Sequence, residues 1–172
     1  MKDNPNTLPN LIRGHLATWR RAVQLQKDRV ITDEFGVDRQ VDSYLCVIAL
    51  SQVFRAALEM KRITGDALLH DACERFQSDL PDTKDLRDVL IHFDEYEKGK
   101  GNLQQYGTMG ALNIFTESGD DRHWLRINHM KIELGSASRN ADDLVYAALD
   151  AADRHSQRIK SHGIAIVRQV NE

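Results

Sequence analysis

Cysteine is scarce: Cys46 and Cys73 are the only two in 172 residues. Both fall inside helical patterns and show no metal-ligand spacing. That excludes a disulfide-stapled scaffold and points to reduced core thiols in a cytoplasmic protein. Long apolar runs are missing as well. Nothing approaches membrane-spanning length, and the opening MKDNPNTLPN is polar, without the apolar core of a signal peptide. There is no basic excess. A net charge of −3 excludes a general nucleic-acid coat, which needs a basic face, but leaves room for an enzyme that touches a few phosphates. The chain has no phosphate-binding G-x-x-x-x-G-K-[ST] loop, no Gly-x-Ser-x-Gly elbow, no dinucleotide fingerprint and no zinc module.

What is present is ordinary globular composition, 41% hydrophobic and 28% charged, over a length suited to one domain, residues 1–172, with its own core. Leu8, Ile12, Leu16, Trp19, Val23 and Val30 form a helical stripe, predicting a first helix from about residue 8 or 10 to 30. Arg13, Arg20, Arg21, Lys27 and Arg29 fall mostly off that stripe. They read as a solvated face, or as a basic ridge toward RNA. A loop over 32–40 follows, and Asp38 or Asp42 can cap a second helix running to about Ile63. Its apolar residues, from Val41, Tyr44 and Leu45 to Ala57, Leu58 and Met60, cover more than half its circumference. Such a helix is the hub of a bundle, or is buried by a partner chain as well. Gly65 ends it. Asp66 begins a third helix to about Asp79, with Leu68, Leu69, Ala72, Cys73 and Phe76 inward, and Leu80-Pro81-Asp82 breaks the chain.

The stretch from Thr83 to Gly101 carries more polar chemistry than packing needs. Leu86, Val89, Leu90 and Phe93 mark one buried face of a fourth helix, with Thr83 as N-cap and Gly99 and Gly101 as stop signals. Arg87, Asp88, His92, Asp94 and Glu95 lie on the remaining surface. Asp88 and His92 are i, i+4, so the carboxylate can orient the ring and favour its charged form. Arg87 and His92 stand about 140° apart around the helix and flank a groove. A permanent cation beside a group that titrates near neutrality suits phosphate chemistry: the guanidinium holds phosphoryl oxygens and the imidazole moves a proton.

Beyond Gly101 the character changes. Residues 102–110 read as a polar loop containing Tyr106. Ala111–Glu117 and Trp124–Leu134 favour strand, joined by Ser118-Gly119-Asp120-Asp121. Leu125 and Ile127 alternate in one phase, and Met130, Ile132 and Leu134 in the other, which predicts a bulge near Asn128-His129. Gly135 to Asn140 reads as a loop. A last helix begins at Asn140 or Ala141, with Leu144, Val145, Ala148, Leu149, Ala152 and Ile159 inward, and ends near Gly163. Ile164 to Val170 reads as a third strand or a docked terminus. The fold class is therefore mainly α: a bundle of about five helices with a β-hairpin, about 111–134, inserted between the fourth and the last.

Arg87-Asp88-Val89-Leu90-Ile91-His92 resembles the Arg-x(4–6)-His motif of HEPN domains, small helical domains of many bacterial toxins and RNA-cutting defence proteins. The polar Asp88 fits the residue that follows the family's Arg. The resemblance covers roughly Leu8 to Gly101. It implies a homodimer whose two motifs share one cleft, and metal-independent endoribonuclease activity without a cofactor. His92 would be the acid/base, Arg87 would sit on the scissile phosphate, and Asp88 would orient either. Tyr96 and Lys100 are secondary substrate contacts. RNA is the implied substrate, and an antitoxin or other regulatory protein a further partner. A catalytically silent HEPN-like dimer, used for binding or scaffolding, is the alternative. A second Arg–His match, Arg122 to His129, falls in a segment that reads as strand. A metal-dependent helical enzyme would need His15, His92 and His155 to converge, but no His-x-x-x-His or Glu-x-x-His pair supports one.

Overall fold

The computed structural model describes residues 7–32, 37–92, 95, 114–119, 122–127 and 129–170. Among the described residues, five helices, α1 (Thr7–Thr32), α2 (Val37–Thr64), α3 (Ala67–Asp79), α4 (Thr83–Ile91) and α5 (Leu134–Val170), enclose the core. Between α4 and α5 lie three strands, β1 (Ile114–Gly119), β2 (Arg122–Ile127) and β3 (Met130–Glu133), in one antiparallel sheet of order β1-β2-β3.

The hub reading of α2 holds. It packs against α1, α3, α4 and α5, and touches β1 and β2. Cys46, Val47, Ala49, Leu50, Val53, Ala57 and Met60 are buried along it. By length and composition α2 is, among the described helices, the one that could cross a membrane, and half of its apolar window is buried inside the molecule. Val41, Leu45 and Leu58 remain exposed.

Local chemistry sets the helix boundaries. Gly65 adopts φ +58°, a left-handed conformation that costs glycine least, and so ends α2. Asp66, expected to begin α3, is its N-cap, its carboxylate accepting from the Leu69 N–H at 3.1 Å. Leu68, expected inward, is instead 63% exposed, because the buried stripe of α3 is Leu69, Ala72, Cys73 and Phe76. Thr83 does not cap α4. Asp82 holds the cap position without a side-chain cap bond, and its carboxylate accepts from the Lys131 N–H at 2.9 Å, fastening β3 to the start of α4.

The sheet corrects the expected hairpin. Trp124 to Leu134 is not one bulged strand: β2 ends at Ile127 and β3 begins at Met130, with Ile127 opposite Met130 and Leu125 opposite Ile132. A tight reversal changes the sequence phase while keeping all four side chains on one face, and all four are buried. The expected loop over Gly135–Asn140 is helix. Glu133 caps it, accepting from the N–H groups of Gly135 and Ser136 at 2.7 Å each, and Leu134, Ala137 and Ala141 begin the buried stripe of α5. The same helix runs on to Val170, so residues 164–170 form no third strand.

Candidate functional site

The motif helix is short. α4 spans 9 residues, burying Leu86 and Val89 against the bundle, and His92 is its C-cap, the backbone N–H donating to Asp88 O at 3.0 Å. α4 stops there, short of the expected end at Gly101; Glu95 is again helical, and Phe93, Asp94 and residues 96–113, Tyr96 and Lys100 among them, lie outside the described residues.

Arg87 and Asp88 come together. The guanidinium Nη2 of Arg87 is ion-paired with the Asp88 carboxylate, its immediate neighbour. The Arg87 side chain is only 21% exposed, and its Nε is buried with no hydrogen-bond partner among the described residues. Leaving such a donor unsatisfied costs about 1–3 kcal/mol.

His92 is not drawn into that pair. Its ring is 55% exposed, and Nδ1 lies 3.8 Å from Oε1 of Glu95. The expected Asp88–His92 side-chain pair is replaced by Arg87–Asp88 on one side and His92–Glu95 on the other. The physical reason is position. His92 leaves the helix with φ −112° and ψ 30°, so the i, i+4 geometry that would stack it on Asp88 no longer applies.

Arg87 also lines an open cavity of about 510 Å³ between α2, α3 and α4. Its apolar wall includes Phe54, Leu58, Phe76 and Leu80, with the Phe54 and Phe76 rings stacked at 5.2 Å between centroids. Arg55 and Lys84 stand on its rim together with Asp85. Thr83 is a further wall residue, itself buried, and its Oγ1 has no hydrogen-bond partner among the described residues. Sequence reading missed this cavity. The signal available was the polar–apolar mixture of Ser51, Phe54, Arg55 and Leu58 on α2, but what closes the cavity arrives from α3 and α4.

The basic residues of α1 do not form an open ridge. Arg13 reaches Asp153 at 2.6 Å, Arg20 reaches Asp142 at 2.7 Å, Lys27 pairs with Asp28 at 2.8 Å, and Arg29 lies 3.6 Å from Asp42. Arg20 also donates to the Tyr146 hydroxyl at 3.0 Å and sits 4.7 Å from that ring's centroid. A second cleft of about 630 Å³ lies between α1, β2 and the start of α5, lined in part by Arg21, Arg122 and Arg139. Its carboxylates are already engaged: Asp28 by Lys27, Asp142 by Arg20, Glu133 by the first turn of α5. Arg122 and His129, the other Arg–His match, are both exposed, one at the start of β2 and the other beyond its end.

Among the described residues no group of three or more His, Cys, Asp or Glu side chains is placed to hold a metal ion, so His15, His92 and His155 form no such site. Cys46 and Cys73 are free and buried. Burial pushes the Cys46 thiol up to about 12 and raises that of Cys73, which keeps both protonated near neutrality.

No family model matches the chain, and neither a curated protein nor a solved structure matches it.

Proposed function

We propose that this chain is a metal-independent endoribonuclease of toxin or defence type, acting in the cytoplasm as a homodimer whose HEPN-like Arg/His motifs share one cleft. The observation that carries the reading is the division of labour on α4. A half-buried guanidinium is held by its neighbouring carboxylate, and an imidazole more than half open to solvent sits at the helix end. A fixed cation and an accessible proton carrier are the two groups that RNA cleavage without a metal requires. Tyr96 and Lys100 remain candidate substrate contacts on the following segment.

The chemistry follows from those groups. The imidazole of one His92 takes the proton of a ribose 2′-hydroxyl. The freed oxygen attacks the adjacent phosphorus, forming the 2′-O–P bond. The P–O5′ bond breaks, and the leaving oxygen takes a proton from the partner copy's imidazolium. Arg87 neutralises the charge that builds on the phosphoryl oxygens, with Asp88 fixing the plane of its fork. A neutralising protein partner would act by covering this cleft.

A second reading is a catalytically silent dimeric binding or scaffold module. It is favoured by two observations: Arg87 lines the α2–α3–α4 cavity, and the described side-chain partner of His92 is Glu95 rather than Asp88. Mixing Arg87→Ala with His92→Ala protein separates the two readings. Each mixed dimer keeps one Arg87 and one of the two imidazoles, so a shared cleft predicts cleavage above that of either variant alone and well below that of the parent. No cleavage by the parent, with a dimer retained, selects the binding module.

A further inference from the structure

The α2–α3–α4 cavity has the composition of a built ligand site. We infer that it binds a small amphipathic monocarboxylate, apolar body inward and carboxylate on Arg87. This inference does not depend on RNA cleavage, although both use Arg87.

Two observations converge on that ligand class. The first is shape and lining. At about 510 Å³ the cavity lies within the range of small-molecule sites, and its wall offers Phe54, Leu58, Phe76 and Leu80 to an apolar body. The second is charge. Arg55, Lys84 and Arg87 face Asp85, and Asp88 is ion-paired with Arg87, so three cations against two carboxylates leave one positive charge. No described side chain pairs with Arg55 or Lys84, and one excess cation matches a monoanion better than a dianionic phosphate. The cavity is thus apolar where a hydrocarbon would lie and cationic where a single carboxylate would end.

The test is calorimetric titration of the full chain with octanoate, using 1-octanol as the neutral probe of the same length. The expected result is saturable binding of one octanoate per chain, with octanol weaker by about tenfold or more. Arg87→Gln should weaken octanoate by about tenfold and leave octanol within about twofold. Circular dichroism verifies that this half-buried variant is folded. The exposed double variant Arg55→Gln/Lys84→Gln gives an independent check and should weaken octanoate by about threefold. His92→Ala should bind octanoate like the parent, which keeps this outcome separate from the fate of the nuclease reading. No saturable octanoate binding, equal affinity for octanol, or unchanged octanoate affinity in both charge variants would overturn the inference.

Discussion

Asp88 is committed to Arg87. The two are consecutive on α4 and form an ion pair, and His92, one turn further on, is left at the helix end beside Glu95. Asp88 therefore acts on the cation of the motif and leaves the imidazole to other neighbours. Asp88→Asn should lower RNA cleavage by about tenfold, less than Arg87→Ala, because the guanidinium is loosened but not removed. The global stability of Asp88→Asn should stay within about 1 kcal/mol of the parent, as for other partly exposed ion pairs. Cleavage rates alongside urea unfolding check both statements.

Asp66 does two jobs with one carboxylate. It caps α3 through Leu69 and takes two hydrogen bonds from Arg154, 2.8 Å each, which ties α5 to the α2–α3 corner. Asp66→Ala removes both and should cost about 2–4 kcal/mol. Arg154→Ala keeps the cap and should cost less than Asp66→Ala, since that side chain is partly in solvent. Urea midpoints of the two variants provide the comparison.

The same pair predicts an acid limb. The hydrogen bonds from Arg154, more than the Leu69 N–H, hold the Asp66 carboxyl at about 2. An unfolded aspartate titrates near about 3.9, so between these values the unfolded chain binds more protons than the folded one. The contribution is complete above about pH 4 and is lost as the pH falls toward 2, amounting to about 1–2 kcal/mol after solvent screening. Unfolding free energies measured from pH 6 down to about pH 2 should show this limb in the parent and a shallower one in Asp66→Asn.

Of the arginines that join α1 to α5, Arg20 matters more than Arg13. Arg20 combines a 2.7 Å bond to Asp142 with the Tyr146 hydroxyl and ring, whereas Arg13 makes a single pair with a largely exposed Asp153. Arg20→Ala should cost about 1–2 kcal/mol and Arg13→Ala less than about 1. The ranking is read from chemical denaturation of the two variants.

Both thiols should be inert in the native protein. Burial raises Cys46 and Cys73, Cys46 the further, so the reactive thiolate is scarce near neutrality and screened from reagents. A thiol-reactive dye at pH 8 should label neither in the folded chain and both in denaturant. Rapid labelling without denaturant would contradict the burial.

The parts of the fold legible from sequence were those written as local periodicity. Leu16, Val23 and Val30 on α1, and Val47, Leu50, Val53 and Ala57 on α2, announce their buried faces directly, and Asp66 announces the start of α3. The misreadings arose where a tertiary contact decided. Gly135, Ser136, Ser138 and Asn140 carry loop chemistry, yet the Glu133 cap and the packing of Leu134 and Ala137 make them helix. The phase change between Ile127 and Met130 suits a bulge or a tight reversal equally, and only strand pairing chooses. Of the candidate site, the adjacency of Arg87 and Asp88 was legible. The cavity behind Arg87 was not, because its walls come from three separate helices. Nor were the partners of Arg13 and Arg20, which lie 140 and 122 residues away.

The most direct test of the account is single-turnover cleavage of an end-labelled RNA in EDTA by the parent, Arg87→Ala and His92→Ala proteins. The account predicts cleavage by the parent to 2′,3′-cyclic phosphate and 5′-hydroxyl ends, and a loss of about 10²–10⁴-fold in each variant with the fold intact. Cleavage by both variants at the parental rate would contradict it.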